Sequence, residues 1–566
     1  MPERRSCLET GEQFTVTDRE LAFLDSITPR FSGTEFPFPV ADYSPETRLR
    51  RLMAFRNERC LFQRICDRTG DRILSVYPPT ARHPVIHNDI WWSKETDNTQ
   101  FAREFDFTRP FFEQIAELID VVPRMHLFIY SSDRQINSDY INCAGDLKDC
   151  YLIFGAARDE RCYHSHYIND SYGCVDNYYC MNSTHCFDCV DVDTCNTLFF
   201  SQSCKQCAES YFLYDCRGCT NCIGCVGLRQ KEYHLFNRKV SKQEFEQVRT
   251  EILAEGWASI DRFRSKYEDL LASYPRRPMH GDNNENSSGD FIWNTKNCYY
   301  CFDMYNAEDC LYCTWFADGK DCMDYFAWGE AEKCYQVTSG GDGMYGSVCC
   351  SMSYGARHSY YLDLCMYCQN CFGCVGLTHE RFSILNTRYS EKEYFELLPR
   401  VIAHLQDTGE RGKFFPPALS TLGYSHSVAQ QHYPLSQEEA TERGYYWEDY
   451  EQPSPTSEKV LAGARAGKAQ AHDRAVLDAV IKCDRSQRLF RLVAPELEFL
   501  QLNDLPLPRY HPDERHRDRV AKRNPRRLWK RKCQDSGEEV LTSYPPDSPV
   551  TVLSEAEYLK QTYGGD

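Results

Sequence analysis

The chain has 566 residues, a formal net charge of −18 and 31 cysteines. That length exceeds a single hydrophobic core, no run of 18 apolar residues offers a membrane span, and the opening MPERRSCLETGEQF is charged without an apolar segment, so no secretory signal is read there. A cytoplasmic address follows, where thiols normally stay reduced, and the odd cysteine count fits it better than a fully paired disulfide framework.

Residues 1–95 read as a small ribbon-like module. Cys7 with Thr10 and Ser44 with Thr47 stand where a zinc ribbon has its two Cys-x-x-Cys knuckles, and a second incomplete set is Cys66 and Thr69 with His87 and Ile90. Tetrahedral zinc needs four thiolate or imidazole ligands, so both sets are degenerate. Six arginines between Arg48 and Arg64 face only Glu58, and Arg48, Arg51, Arg56 and Arg59 are candidate phosphate contacts. A helical connector at 96–136 contains Pro110, which opens a helix whose Phe111, Phe112, Ile115 and Leu118 read as core.

Most cysteines lie between Cys143 and Cys374, and in two places they recur every 12 residues: Cys150, Cys162, Cys174, Cys186, then Cys298, Cys310, Cys322, Cys334. Twelve residues are too few for a helical hairpin but enough for a small β-coil. The expected fold is therefore mainly β: two tandem cysteine-rich β-solenoids with about 12 residues per coil, at 137–256 and 291–408, joined by a connector at 257–290. Each cysteine series becomes an inward ladder of unpaired thiols, and His164 and His166 within the first read as packed or solvated side chains. The stretch 215–245 aligns without a gap on 364–394, so the blocks are duplicates. Each block ends at a capping box, Ser241 with Glu244 and Ser390 with Glu393, where apolar residues switch to helical spacing and predict a capping helix.

Residues 409–478 read as connector and linker. Ser436 with Glu439 opens another helix, EQPSPTSEK at 451–459 marks a flexible stretch, and GARAGKA at 463–469 lacks P-loop spacing and reads as Ala-rich helix. The C-terminal module, 479–566, repeats the first: Cys483 and Ser486 go with His511 and Glu514, and Cys533 and Ser536 with Ser554 and Glu557. Between Arg509 and Lys532, eleven Lys or Arg face three acids, which makes Arg515, Arg519, Arg523, Arg526, Arg527, Lys530 and Lys532 further candidate nucleic-acid contacts. The competing reading makes these arginines counter-ions to acidic surface inside the molecule.

RRLMAFRNER, CDRTGDRILSVYPP, FLYDCRGCTNCIGCVGLRQKEY and LPLPRYHPDERHRDRVAKRNPRRLWKRKC together resemble a family of cysteine-repeat proteins with terminal zinc-ribbon-like modules, found in candidate-phylum bacteria and some large DNA viruses. The resemblance spans about Cys7 to Tyr558 and implies an architecture, not an activity. Relatives often carry complete knuckles where this chain has Thr10, Ser44, Thr47 and Glu514.

Three functions follow as expectations. The first is a non-enzymatic scaffold or binding protein whose basic ends contact nucleic acid, a ribonucleoprotein or another protein, with no membrane partner. The second is a metal or redox protein using Cys483, His511 and Glu514, or the runs Cys216, Cys219, Cys222, Cys225 and Cys365, Cys368, Cys371, Cys374. The third is a structural or virion assembly component. No cofactor is expected. Zinc is the metal these spacings admit, while an iron–sulfur cluster is disfavoured because neither run ends in Cys-Pro. No HExxH or GxSxG motif is present, and no catalytic residue is assigned.

Overall fold

In the computed structural model, which describes residues 3–563 except 32, 130–133, 328, 330, 464–466 and 473, the twelve-residue period resolves into triplets. Strands Asn142–Gly145, Phe154–Ala157, His166–Asn169, Tyr178–Met181, Val190–Asp193 and Gln202–Lys205 form one parallel sheet, and every register step is twelve residues. Further parallel bridges, such as Tyr151↔Tyr163↔Val175↔Phe187 and Lys148↔Glu160↔Tyr172↔Thr184, pair the remaining stretches with the same offset. Each rung thus offers four pairing sites, three residues apart.

Within a triplet the residues have fixed roles. The first pairs through its backbone: Tyr163 N–H donates to the Cys174 carbonyl at 2.9 Å, and the Tyr163 carbonyl accepts from Asp176 N–H at 3.1 Å. The second takes a positive φ, as at Asp170 (52°), Asp176 (58°), Asn182 (50°), Asp188 (50°) and Asp191 (55°). L-residues resist that region, and Asn and Asp tolerate it best because their short polar side chains bond locally. The third is buried in a core made of every third residue, including Cys150, Ile153, Cys162, Ile168, Cys174, Cys186 and Cys189.

This third position explains the cysteines. In the first block its N–H turns to the side chain one rung earlier, as Asn177 N–H does to Ser165 Oγ at 3.0 Å, Cys189 N–H to Asn177 Oδ1 at 2.9 Å, and Cys186 N–H to Cys174 Sγ at 3.5 Å. The thiols in turn donate to carbonyls, as Cys189 Sγ does to Leu198 O at 3.1 Å. A small apolar side chain that both accepts and donates suits a narrow buried core, and cysteine is that residue. All 31 cysteines are free of disulfides.

The second block repeats the plan with irregularities. Its ladder begins at Gly281–Asp282, whose rung is eleven residues long (Gly281↔Ile292), and the rung Tyr335↔Val348 is thirteen. Helices Lys242–Leu253 and Glu391–Asp407 follow the blocks, Ser241 and Ser390 each capping as expected; the reciprocal Glu bond is present at Glu393. The helix Phe111–Val121 buries Phe111, Ile115 and Leu118, and its first N–H groups donate to the Glu410 carboxylate at 2.7–2.8 Å.

Helix makes up 25% and strand 28% of the structure, so the chain is mixed rather than mainly β. The helices come from the modules and connectors, whose apolar stripes pack on the outer faces of the ladders. The 463–469 segment falls partly outside the described residues, and Ala469–Ala471 is a 3-10 turn, not the expected α-helix.

Candidate functional site: a groove between two ladder faces

The basic strips lie mostly inside the molecule. Arg48 sits between Glu20 (3.2 Å) and Asp324 (2.7 Å), and Arg56 between Glu58 and Ser339 Oγ, both at 2.6 Å. Arg515 pairs with Asp176 and Glu496, Arg519 with Asp176 at 3.0 Å, and Arg526 with Asp303 at 2.8 Å. Arg523 joins the two blocks directly, reaching Asp191 of the first at 3.1 Å and Asp303 of the second at 2.6 Å, between the rings of Tyr179 and Phe291. These six arginines are therefore internal counter-ions, a correction to the external phosphate surface read from their charge. Their partners Asp176, Asp191, Asp303 and Asp324 all occupy positive-φ positions of the triplets. One residue type thus serves the ladder's backbone and receives the module's arginine.

Of the other basic candidates, Arg51 lies over the Tyr43 ring, and Arg59 faces Asp513 at 3.5 Å and the ring of Phe154. Arg527 is half-exposed and bonded to Glu12, Lys530 is exposed and paired with Glu539 at 2.7 Å, and Lys532 is exposed.

The same buried layer absorbs the ladder histidines. His166 Nε2 lies 2.7 Å from Glu58 and His164 Nε2 3.0 Å from Glu496. Burial pushes the Glu58 carboxyl up, but Arg56 and the His166 hydrogen bond outweigh it and hold it at about 2. Burial lowers His166 more than Glu58 raises it, so the ring favours its neutral form.

The four knuckles share one geometry. Each is a hairpin turn holding a cysteine against the residue just before a helix: Cys7 and Ser44, Cys66 and His87, Cys483 and His511, Cys533 and Ser554. Ser554 N–H donates to Cys533 Sγ at 3.1 Å and Ser486 N–H to Cys483 Sγ at 3.4 Å, while Cys7 Sγ bonds Thr47 Oγ1 at 3.4 Å. Burial raises the Cys7 and Cys533 thiols, but hydrogen bonds from Thr10 and Ser536 and from the turn amides bring each down to about 7. The structure does not bring Cys483, His511 and Glu514 together as ligands. His511 Nδ1 accepts from Asp513 N–H at 3.1 Å to cap its helix, and Glu514 turns to Arg517 at 3.0 Å. The runs Cys216, Cys219, Cys222, Cys225 and Cys365, Cys368, Cys371, Cys374 are inner ladder residues whose thiols donate to carbonyls. Among the described residues no group of three or more His, Cys, Asp or Glu gathers as a metal site.

What the sequence reading missed is the space between the blocks. A groove of about 980 Å³ runs between a first-block face carrying Asn169, Met181, Asp193 and Lys205 and a second-block face carrying Trp293, Tyr305 and Ala317. That volume is at the upper end for small-ligand pockets. Trp293 and Tyr305 stack at 4.7 Å and 10°. Beside them Asn294 Nδ2 donates to Asn306 Oδ1, and Asn306 Nδ2 to Asp318 Oδ1, both at 2.9 Å. Every lining cation is matched within the chain: Arg56 with Glu58, Arg158 with Asp170, Lys205 with Asp193, Arg217 with Asp282, and Arg277 with Glu555. His280 also lines the groove. Its Nδ1 is 2.9 Å from Asp290 and its Nε2 3.3 Å from the Tyr214 hydroxyl, which continues to Tyr544 at 3.3 Å. This relay orients an imidazole, and its far end is a second tyrosine.

A signal for the groove existed: Trp293 and Tyr305, and Asn294, Asn306 and Asp318, recur at twelve residues like the cysteines. No protein-family model matches the chain, and no curated protein does.

Proposed function

We propose that the protein is a non-enzymatic binding scaffold built from two β-solenoids of about twelve residues per coil, held face to face by the terminal modules, with the groove between them as its binding site. The observation that carries this reading is Arg523, buried between Asp191 and Asp303 of opposite blocks, because a charge shared by two surfaces fixes the spacing of the walls. The inner thiols support a structural role for the cysteines, since their hydrogen bonds are committed to the ladder. The test is hydrogen exchange on the parent and on Arg523→Ala. Faster exchange along both groove walls, with the ladder cores still protected, is the expected result; unchanged walls would refute the clamp.

The nucleic-acid reading retains exposed Lys530 and Lys532 on the hairpin Trp529–Lys532 and Glu539–Thr542. Anisotropy of labelled RNA and DNA at low salt, with the parent and a Lys530→Ala, Lys532→Ala variant, decides it. Binding lost in the variant would move the partner site from the groove to this hairpin.

A further inference from the structure

The groove's walls carry enough detail to name a class of ligand, on the reading that the groove is the binding site. In the second-block row, Trp293 pairs with Tyr305, Tyr305 with Ala317, and Gly329 follows so close that an added Cβ would strike the Ala317 carbonyl. Rungs are about 4.8 Å apart, close to the spacing of stacked rings. Trp293 therefore covers one face of Tyr305, and exposed Ala317, too small to continue the stack, leaves a notch beside the other.

The neighbouring row is an amide ladder from Asn283 through Asn294 and Asn306 to Asp318. Asn294 and Asn306 each spend one N–H and one lone pair along the ladder and keep one of each, so donor–acceptor pairs repeat on successive rungs. Charge points the same way. The groove's cations are already bonded to carboxylates, which leaves no free cation among the described residues for phosphate or uronate, and the walls are ladder faces that offer side chains rather than a backbone edge for an added peptide strand.

We infer that the groove binds a neutral, extended oligosaccharide, with one sugar ring in the Ala317 notch against Tyr305 and its hydroxyls on the Asn294–Asn306 ladder. An aromatic face takes the apolar C–H side of a pyranose, and paired amide groups match the donor and acceptor character of adjacent hydroxyls. Phosphate chains and acidic glycans would meet uncompensated carboxylate such as Asp318.

The experiment titrates the full-length protein by calorimetry with neutral hexasaccharides (β-1,4-linked glucose, xylose and N-acetylglucosamine, and α-1,4-linked glucose), with hexagalacturonate and with short single-stranded DNA. The expected result is binding of a neutral hexasaccharide that is insensitive to salt, is weakened about tenfold by Trp293→Ala or Asn306→Ala, is lost in Ala317→Trp, and is kept in Ala317→Ser. If only hexagalacturonate or DNA binds, and Ala317→Trp abolishes that binding, the groove remains the site and the sugar assignment is overturned. If a neutral sugar binds Ala317→Trp as well as the parent, both are overturned. Silence from every probe overturns the sugar assignment and leaves the groove to the hydrogen-exchange test.

Discussion

The two ladder blocks descend from one duplicated sequence and differ in regularity. The first keeps a twelve-residue offset from Asn142 to Arg229, with Cys, Ser, Ile and Leu in its core. The second opens on an eleven-residue rung, contains a thirteen-residue one, and buries Met304, Tyr325 and Met344 among its cysteines. Where Tyr325 enters the core, the chain supplies Gly340, because a Cβ there would fall on the Tyr325 hydroxyl. Met304 still fits twelve-residue rungs, whereas the larger Tyr325 is met by a glycine and lies near the thirteen-residue rung.

The strongest break in this comparison is the link between the blocks. Arg523→Ala leaves Asp191 buried without its cation and Asp303 with Arg526 alone, and should cost about 3–5 kcal/mol in urea unfolding. Arg527→Ala, on a half-exposed pair, should stay within about 1 kcal/mol.

Next comes the contrast in core tolerance. Gly340→Val should cost about 2–3 kcal/mol by overpacking against Tyr325, whereas Gly218→Ala in the first block, at φ +61° with its nearest neighbour at 3.4 Å, should cost about 1 kcal/mol of backbone strain. Equal effects would mean that the second block relaxes around the intrusion.

A smaller effect separates two accounts of the cysteines. If Cys174 merely fills apolar space, Ala should be tolerated better than Ser. If its Sγ receives the Cys186 N–H, Ser should be the milder change and Ala should cost about 1 kcal/mol more, through the unsatisfied amide. Denaturation midpoints of Cys174→Ser and Cys174→Ala give the order directly.

The last prediction concerns pH. Glu58 is depressed from its ordinary value of 4.5 to about 2. A carboxyl lowered on folding contributes stability that is fully present above 4.5 and lost as pH falls towards 2. Glu58→Gln should therefore flatten the acid limb of a urea-midpoint profile between those values, and a slope equal to the parent's would remove Glu58 as its source.

The period, the duplication, the helical caps and the four knuckles were legible because each leaves like residues at fixed spacings within a short stretch. The triplet was not, although Asp and Asn recur within it at multiples of three residues, because the cysteines mark only some inner positions and hide the shorter repeat beneath the longer one. The arginine strips misled for a different reason: charge can be counted in a sequence, but Arg519 and Asp176, which neutralise each other, are separated by most of the chain. The groove joins Asn169 and Trp293, whose proximity depends on how one block meets the other. No local pattern encodes that.

The left-handed residue in every triplet also sets a grammar for change in length. Inserting three residues would preserve which positions turn inward but pass every later residue to the next side of the rung, so the row of Trp293 and Tyr305 would inherit a different neighbour. Inserting twelve would preserve the sides too and lengthen the wall by one step. A lineage carrying this fold can thus extend its groove by whole rungs, or exchange its lining by quarter-rungs of three residues, without redesigning the core.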